Sequence, residues 1–226
     1  MTQYRKERLE NNYYYHVFSR SISKYIVFNS TEDYSRIIEI LNLYRYSNFS
    51  YKYSKFVQLD AQTQIDVMES LKNQNDLLVE IVAYCVMPTH IHLLIKQIQN
   101  GGISRYMAKV LNSYSRYFNV KHKRSGPLWA GRFKSVLVSN DNQLLHLTRY
   151  IHLNPTSANI VKKPEQWPHS SYVEYTSSDF TESKICNFKN LIDITSKEYK
   201  KFVLDRKDYQ KQISLIKNML IDDYTG

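Results

Sequence analysis

Between Glu80 and Asp141 this chain has no acidic residue. The same interval carries Lys96, Arg105, Lys109, Arg116, Lys121, Lys123, Arg124, Arg132 and Lys134, so nearly all of the +10 formal charge is concentrated there and the rest of the chain is close to balance. A hydrolytic nuclease with two metals needs several carboxylate ligands, and the gap argues against one in this part of the chain. Long apolar runs are missing too. Nothing is long enough to cross a bilayer, and the first residues, MTQYRKERLENN, lack the apolar core of a signal peptide. The expectation is therefore a soluble, cytoplasmic protein without a membrane partner. Cysteine is scarce: Cys85 and Cys186 are far apart, which supports neither a Cys-x-x-Cys knuckle nor a disulfide framework. No internal repeat and no phosphate-binding P-loop are present. The 226 residues suffice for one large domain, or a domain with an appendage.

The most informative stretch is Met-Pro-Thr-His-Ile-His-Leu-Leu-Ile, residues 87–95. It reads as a buried strand, in which residues two apart share a face about 7 Å apart. His90 and His92 then look the same way, and two neutral imidazoles can hold a divalent cation at a sheet edge. A structural or simply exposed His pair fits the same spacing, and the residues alone leave both readings open.

Around this stretch, residues 13–19 (YYYHVFS) read as a first strand. A helix follows from Thr31, taken as N-cap, with Glu32 and Asp33 in the first turn and Ile37, Ile38, Leu41 and Tyr44 at helical spacing. Residues 47–76 are polar and tyrosine-rich with a weak helical pattern at Ile65, Met68 and Leu71, which leaves open an insertion rather than a part of the central sheet. Strands at 77–86 and 90–97 form a hairpin turning at Pro88. After Asn100-Gly101-Gly102, the stripe Ile103, Met107, Val110, Leu111, Tyr114 and Phe118 predicts a long amphipathic helix, with Tyr114 as packing. Residues 116–134 interleave cations with Tyr117, Phe118, Trp129 and Phe133. Cations for phosphates and flat rings for bases suit single-stranded nucleic acid, so Arg105, Lys109, Arg116, Lys121, Lys123, Arg124, Trp129, Arg132 and Lys134 form the expected nucleic-acid-binding set. A generically basic surface with core-plugging aromatics is the alternative.

Residues 133–139 read as a further strand. In the following stretch, NDNQLLHLTRYIHLNP, Leu144, Leu147, Thr148 and Ile151 make a buried face, and His146, Tyr150 and Asn154 lie at i, i+4 and i+8 on its flank. Pro155 is expected to end this helix, leaving Asn154 in its last turn. His146 and His152 are expected as surface residues, with a supporting or proton-handling role as the other option. Segments 188–191 and 198–220 look helical and of mixed charge, resembling an appendage.

MPTHIHLLI, SRYFNVKHKRSGPLWAGRFKS and YIHLNP, in that order, resemble the tyrosine transposases associated with repetitive extragenic palindromes. These are insertion-sequence-200-like transposases within the HUH (His, hydrophobic, His) single-strand endonuclease superfamily. The resemblance covers about residues 10–175 and implies an α+β, ferredoxin-like antiparallel sheet with helices packed on it. The corresponding organisation is a transposase domain over residues 1–175, with a possible insertion at 47–76, and a helical C-terminal extension over 176–226. Position by position the resemblance makes His90 and His92 metal ligands, Tyr150 the nucleophile and Asn154 the third ligand, with His146 and His152 as possible supporting groups. It implies an enzyme that cleaves and rejoins single-stranded or hairpin DNA through a 5′-phosphotyrosine with Mg²⁺ or Mn²⁺, and it allows a homodimer. The first strand departs from the family pattern: Ser19-Arg20 is followed by Ser21-Ile22, where the family commonly has Gly-Asn. The alternatives are a domesticated transposase that binds nucleic acid without cleaving it, and a relaxase or replication-initiation enzyme of the same superfamily.

Overall fold

The computed structural model describes residues 8–177, 185–188, 191 and 194–205. Its centre is a four-stranded antiparallel sheet in the order β2-β3-β1-β4, built from β1 (Tyr14–Arg20), β2 (Val79–Met87), β3 (His90–Gln97) and β4 (Lys134–Leu137). β2 and β3 form the expected hairpin, closed by Pro88 and Thr89. The β1–β3 register pairs Arg20 with His90, Phe18 with His92 and His16 with Leu94. Because side chains alternate, these six share one face, and Val17, Ile91, Leu93 and Ile95 point to the other and are wholly buried.

Helix α1 (Thr31–Tyr44) starts one residue earlier in its capping than the sequence suggests. Ser30 is the N-cap, its hydroxyl accepting from the Asp33 amide and the Asp33 carboxylate accepting from the Ser30 amide. Residues 47–76 hold α2 (Tyr53–Phe56) and α3 (Ala61–Gln74). Phe49, Tyr53 and Phe56 are buried, whereas α3 buries Leu71 alone and leaves Ile65 exposed, so the weak helical pattern there belongs to a peripheral helix. Helix α4 (Gly102–Lys121) buries the whole expected stripe and packs on α1. This pair closes the sheet face that carries Val17 and Leu93. Its first turn comes so close to the residue preceding β2 that a Cβ on Gly102 would lie 2.2 Å from the Leu78 carbonyl oxygen.

Helix α5 (Asp141–Ser157) covers the other face. It is capped by Asn140, whose side chain accepts from the Gln143 amide. Pro155 does not end it. The helix continues to Ser157, because a proline near a helix end forfeits a single backbone hydrogen bond and the Ala158 amide still reaches the Asn154 carbonyl at 3.0 Å.

The C-terminal residues that are described are not peripheral. Residues 169–171 run along the open edge of β2, with the Val86 amide donating to the His169 carbonyl and the Ser171 amide to the Tyr84 carbonyl, which shields an edge strand. Helix α6 (Tyr172–Thr176) and α7 (Ser196–Leu204) then pack on α5 and on each other, and Tyr199 and Val203 of α7 are buried. The first part of the expected appendage is thus built into the core. Of the two expected helices, residues 198–204 of the second fall in α7, while in the first Leu191 lies in a turn and Phe188 is outside any helix and stacks on Tyr175; residues 189, 190 and 206–220 lie outside the described residues.

Candidate active site

His90 and His92 open β3 on the same face, with ring centroids 4.9 Å apart. Each has its Nδ1 engaged: His90 with the Thr89 hydroxyl at 2.9 Å, His92 with His16 Nε2 at 3.0 Å. Each also has a buried Nε2 without a hydrogen-bond partner. Burial, followed by the charge of Arg20, pushes the His90 pKa down to about 4, against the opposing influence of the Asn154 side chain beside it. Burial, then His90, His16 and Arg20, holds His92 well below the usual imidazole range. Both rings are therefore neutral near pH 7, with lone pairs available for a cation.

Tyr150 packs against this pair. Its ring meets His92 edge-on at 5.6 Å and 89°, and His16 edge-on at 6.0 Å and 81°. Asn154, one turn further along α5, is buried next to His90. The structure thus brings together His90, His92, Tyr150 and Asn154, from one strand and one helix. The flank position expected for Tyr150 is not observed. Tyr150 is 5% exposed, and Thr148, Arg149 and His152 are also buried, because α5 is enclosed by the sheet on one side and α7 on another.

That enclosure also relocates two histidines expected at the surface. His152 is wholly buried with both ring nitrogens bonded, Nδ1 to the Tyr199 hydroxyl at 2.7 Å and Nε2 to the Ser171 hydroxyl at 2.8 Å. It ties α5 to α6 and α7 and has no nitrogen left to support His90 or His92. His146 is buried against Phe202 of α7, with ring centroids 5.4 Å apart.

Two residues of the site were missed in the sequence. His16 and Arg20 lie on β1 at the alternation that faces His92 and His90. The signal was available in YYHVFSR, where His16, Phe18 and Arg20 alternate in step with the His pair, but the strand pairing that aligns them is not written in either segment.

The DNA-binding set divides in the structure. Trp129 is a core residue: it is buried, donates from its indole to the Leu111 carbonyl at 3.2 Å and packs against Phe28 and Tyr114. Phe118 is buried, and the Tyr117 hydroxyl is tied to Asp33. These rings do not form an open stacking platform. The charges remain at the surface, with differing freedom. Lys121 is engaged with Asp33 at 2.7 Å and Glu32 at 3.4 Å, which holds the Asp33 carboxyl below its ordinary range despite burial. Arg105 donates to Gln99 and the Asn100 carbonyl, and Arg124 to the Pro127 carbonyl. Lys109 and Arg116 line a cavity of about 920 Å³ on the outer side of α4, together with Tyr51 and Lys52. Lys123 and Arg132 are exposed. Lys134, also exposed, is the member placed by register beside the site: it pairs with Phe18, which pairs with His92.

Among the described residues no three His, Cys, Asp or Glu side chains converge as a metal site. The donor set that fits a cation here is two imidazoles and the Asn154 amide, and the two orphaned Nε2 atoms supply the fit: buried acceptors without partners are costly unless something binds them. No described helix is long and apolar enough to cross a membrane.

Residues 48–154 match the family model described as "Transposase IS200 like". The match spans α2 and α3 and ends on Asn154. A curated protein of Haemophilus influenzae named "Putative REP-associated tyrosine transposase" is 32% identical over 104 residues, covering 41% of this chain and 58% of the relative. The match thus spans somewhat over half of that relative's length. A solved structure described as a REP-associated tyrosine transposase bound to a REP hairpin superposes with a TM-score of 0.51 at 16% identity, covering 83% of this chain and 98% of that one. At that identity it speaks for the fold. In sequence over residues 48–154 and in fold over most of its length, this chain is similar to the IS200-like tyrosine transposases.

Proposed function

We propose that the protein is a transposase or strand transferase that cleaves and rejoins single-stranded, hairpin-associated DNA, with Tyr150 as nucleophile and His90, His92 and Asn154 holding one divalent cation, Mg²⁺ or Mn²⁺. The observation that carries the reading is the packing of the Tyr150 ring against His92, beside two buried Nε2 atoms that have no other partner. A cation held there would polarise the scissile phosphate and offset its charge. Arg20 and Lys134 add fixed positive charge on the same sheet face, which attracts a phosphate to the site.

In the forward step the Tyr150 oxygen forms a bond to phosphorus as the bond to the 3′ oxygen breaks. Tyr150 gives up its proton and the departing 3′ oxygen gains one. The products are a 5′-phosphotyrosine and a free 3′-hydroxyl, and attack by a second 3′-hydroxyl reverses the chemistry and joins two strands without ATP. Hairpin DNA as partner is supported by the description of the structural neighbour and by the basic stretch between Glu80 and Asp141.

The test is incubation with single-stranded oligonucleotides from the flanks of the gene and Mn²⁺ or Mg²⁺, followed by denaturing electrophoresis. A metal-dependent covalent adduct on Tyr150 is expected. Binding without any adduct, across hairpin and linear substrates, would leave a nucleic-acid-binding protein without cleavage activity.

A further inference from the structure

We infer that His16 is a positioning residue: it accepts a hydrogen bond from His92 Nδ1–H and so fixes His92 in the tautomer whose Nε2 lone pair is free for the cation. The inference rests on the metal-site reading above for its purpose, and on geometry for its content. The two nitrogens are 3.0 Å apart, both rings lie on the same sheet face, and their planes are within 11° of parallel. A neutral imidazole carries one N–H, so one proton occupies this bond and its position decides both tautomers.

If His16 donated, the His92 proton would sit on Nε2. That atom is buried and has no acceptor, which would leave an orphaned N–H, the rarer and costlier kind of unpaired group. If His92 donates, its Nδ1–H is satisfied, the His16 Nε2 lone pair is used, and what remains is a buried lone pair at His92 Nε2. The second arrangement is the one a metal ligand needs, since a ligating imidazole commonly gives its other N–H to an acceptor that fixes ring and tautomer. Thr89 stands in the corresponding place to His90, so each ligand has an orienting partner from a neighbouring position. His16 also touches Tyr150 edge-on, and its ring holds the nucleophile and the ligand in one packed unit.

The experiment has two readouts on the full chain. The first is the His92 tautomer in metal-free protein, from long-range proton–nitrogen correlation spectra. The second is Mn²⁺ affinity by calorimetry, for wild type, His16→Phe, which keeps a flat ring but no acceptor, and His16→Gln, which keeps an acceptor. The expected result is an Nδ1–H tautomer at His92 in wild type, a shift toward Nε2–H in His16→Phe with Mn²⁺ binding about 10–100-fold weaker, and recovery of most of that loss in His16→Gln. An Nε2–H tautomer at His92 in wild-type protein overturns the inference without recourse to any variant, as does His16→Phe binding Mn²⁺ as tightly as wild type. Wild type that binds no Mn²⁺ while showing the Nδ1–H tautomer would instead sink the metal reading and leave the positioning contact standing.

Discussion

The Tyr150 ring stands edge-on to the His92 ring, with centroids 5.6 Å apart and planes at 89°. One comes from the middle of α5 and the other from the third residue of β3, and their meeting depends on α5 lying across the sheet face on which His16 and His92 alternate. Tyr114, by contrast, sits in the α4 stripe with its hydroxyl donating to the Val27 carbonyl at 2.5 Å.

This difference in surroundings makes Tyr150→Phe the sharpest variant. It keeps the packed ring, so stability should change by no more than about 1.5 kcal/mol, and DNA binding should persist. No covalent adduct should form, because the nucleophilic oxygen is gone. Tyr114→Phe and Tyr117→Phe lose structural hydrogen bonds and about 1 kcal/mol each, yet should still give the adduct. Mass spectrometry of trapped DNA on a tyrosine other than Tyr150 would refute the assignment.

His90→Ala and His92→Ala should lower cleavage by more than about 100-fold, beyond the range of a residue that merely orients a ligand. Hairpin affinity should be nearly unchanged, since phosphate contacts supply it. Asn154→Ala should be milder. Cleavage at wild-type rate by both histidine variants, in matched Mn²⁺ assays, is the outcome that contradicts the site.

Lys123→Ala and Arg132→Ala should each weaken DNA binding and reduce the slope of log affinity against log salt by about 1. Trp129→Ala should act on folding, costing about 3–5 kcal/mol as a large core deletion. Comparing urea midpoints with binding slopes separates the two effects. A Trp129 variant that folds normally but loses single-strand affinity would restore the stacking role that its burial denies.

Acid should destabilise the protein through the wholly buried His152 and the half-buried His169. Burial depresses His152 to about 3 and His169 to about 4, from an ordinary value of 6.5. Below pH 6.5 the unfolded chain takes up protons that the folded one refuses, so the stability present above 6.5 is lost progressively as pH falls toward the folded values. For the wholly buried His152 the loss at pH 5 is about 2 kcal/mol. Urea unfolding between pH 5 and 7.5 checks this, and a stability that stays flat across the window would show these rings to be accessible to protons in the fold.

Gly102→Ala should destabilise by about 1–3 kcal/mol, since its Cβ would press on backbone, the Leu78 carbonyl, rather than on a side chain that can move. Thermal unfolding measures it, with Ala108→Gly on the exposed side of α4 as a milder reference of about 1 kcal/mol.

Local pattern was enough for much of this protein. The two-residue alternation put His90 and His92 on one face, the apolar stripe of α4 appeared in the structure without exception, and the Pro88 hairpin lies where turn chemistry placed it. The spacing of Tyr150 and Asn154 along one helix was equally legible, because it depends on helical geometry alone. Tertiary structure decided the rest, through contacts between segments far apart in the chain. Whether an aromatic in residues 116–134 faces DNA or the core depends on what lies opposite it, and Trp129 found Phe28 and Tyr114. Whether the histidines of α5 reach solvent depended on α7 closing over them, roughly fifty residues later. His16 became part of the site when the β1–β3 register brought it to His92, across 76 residues, and no periodicity within either strand encodes that register.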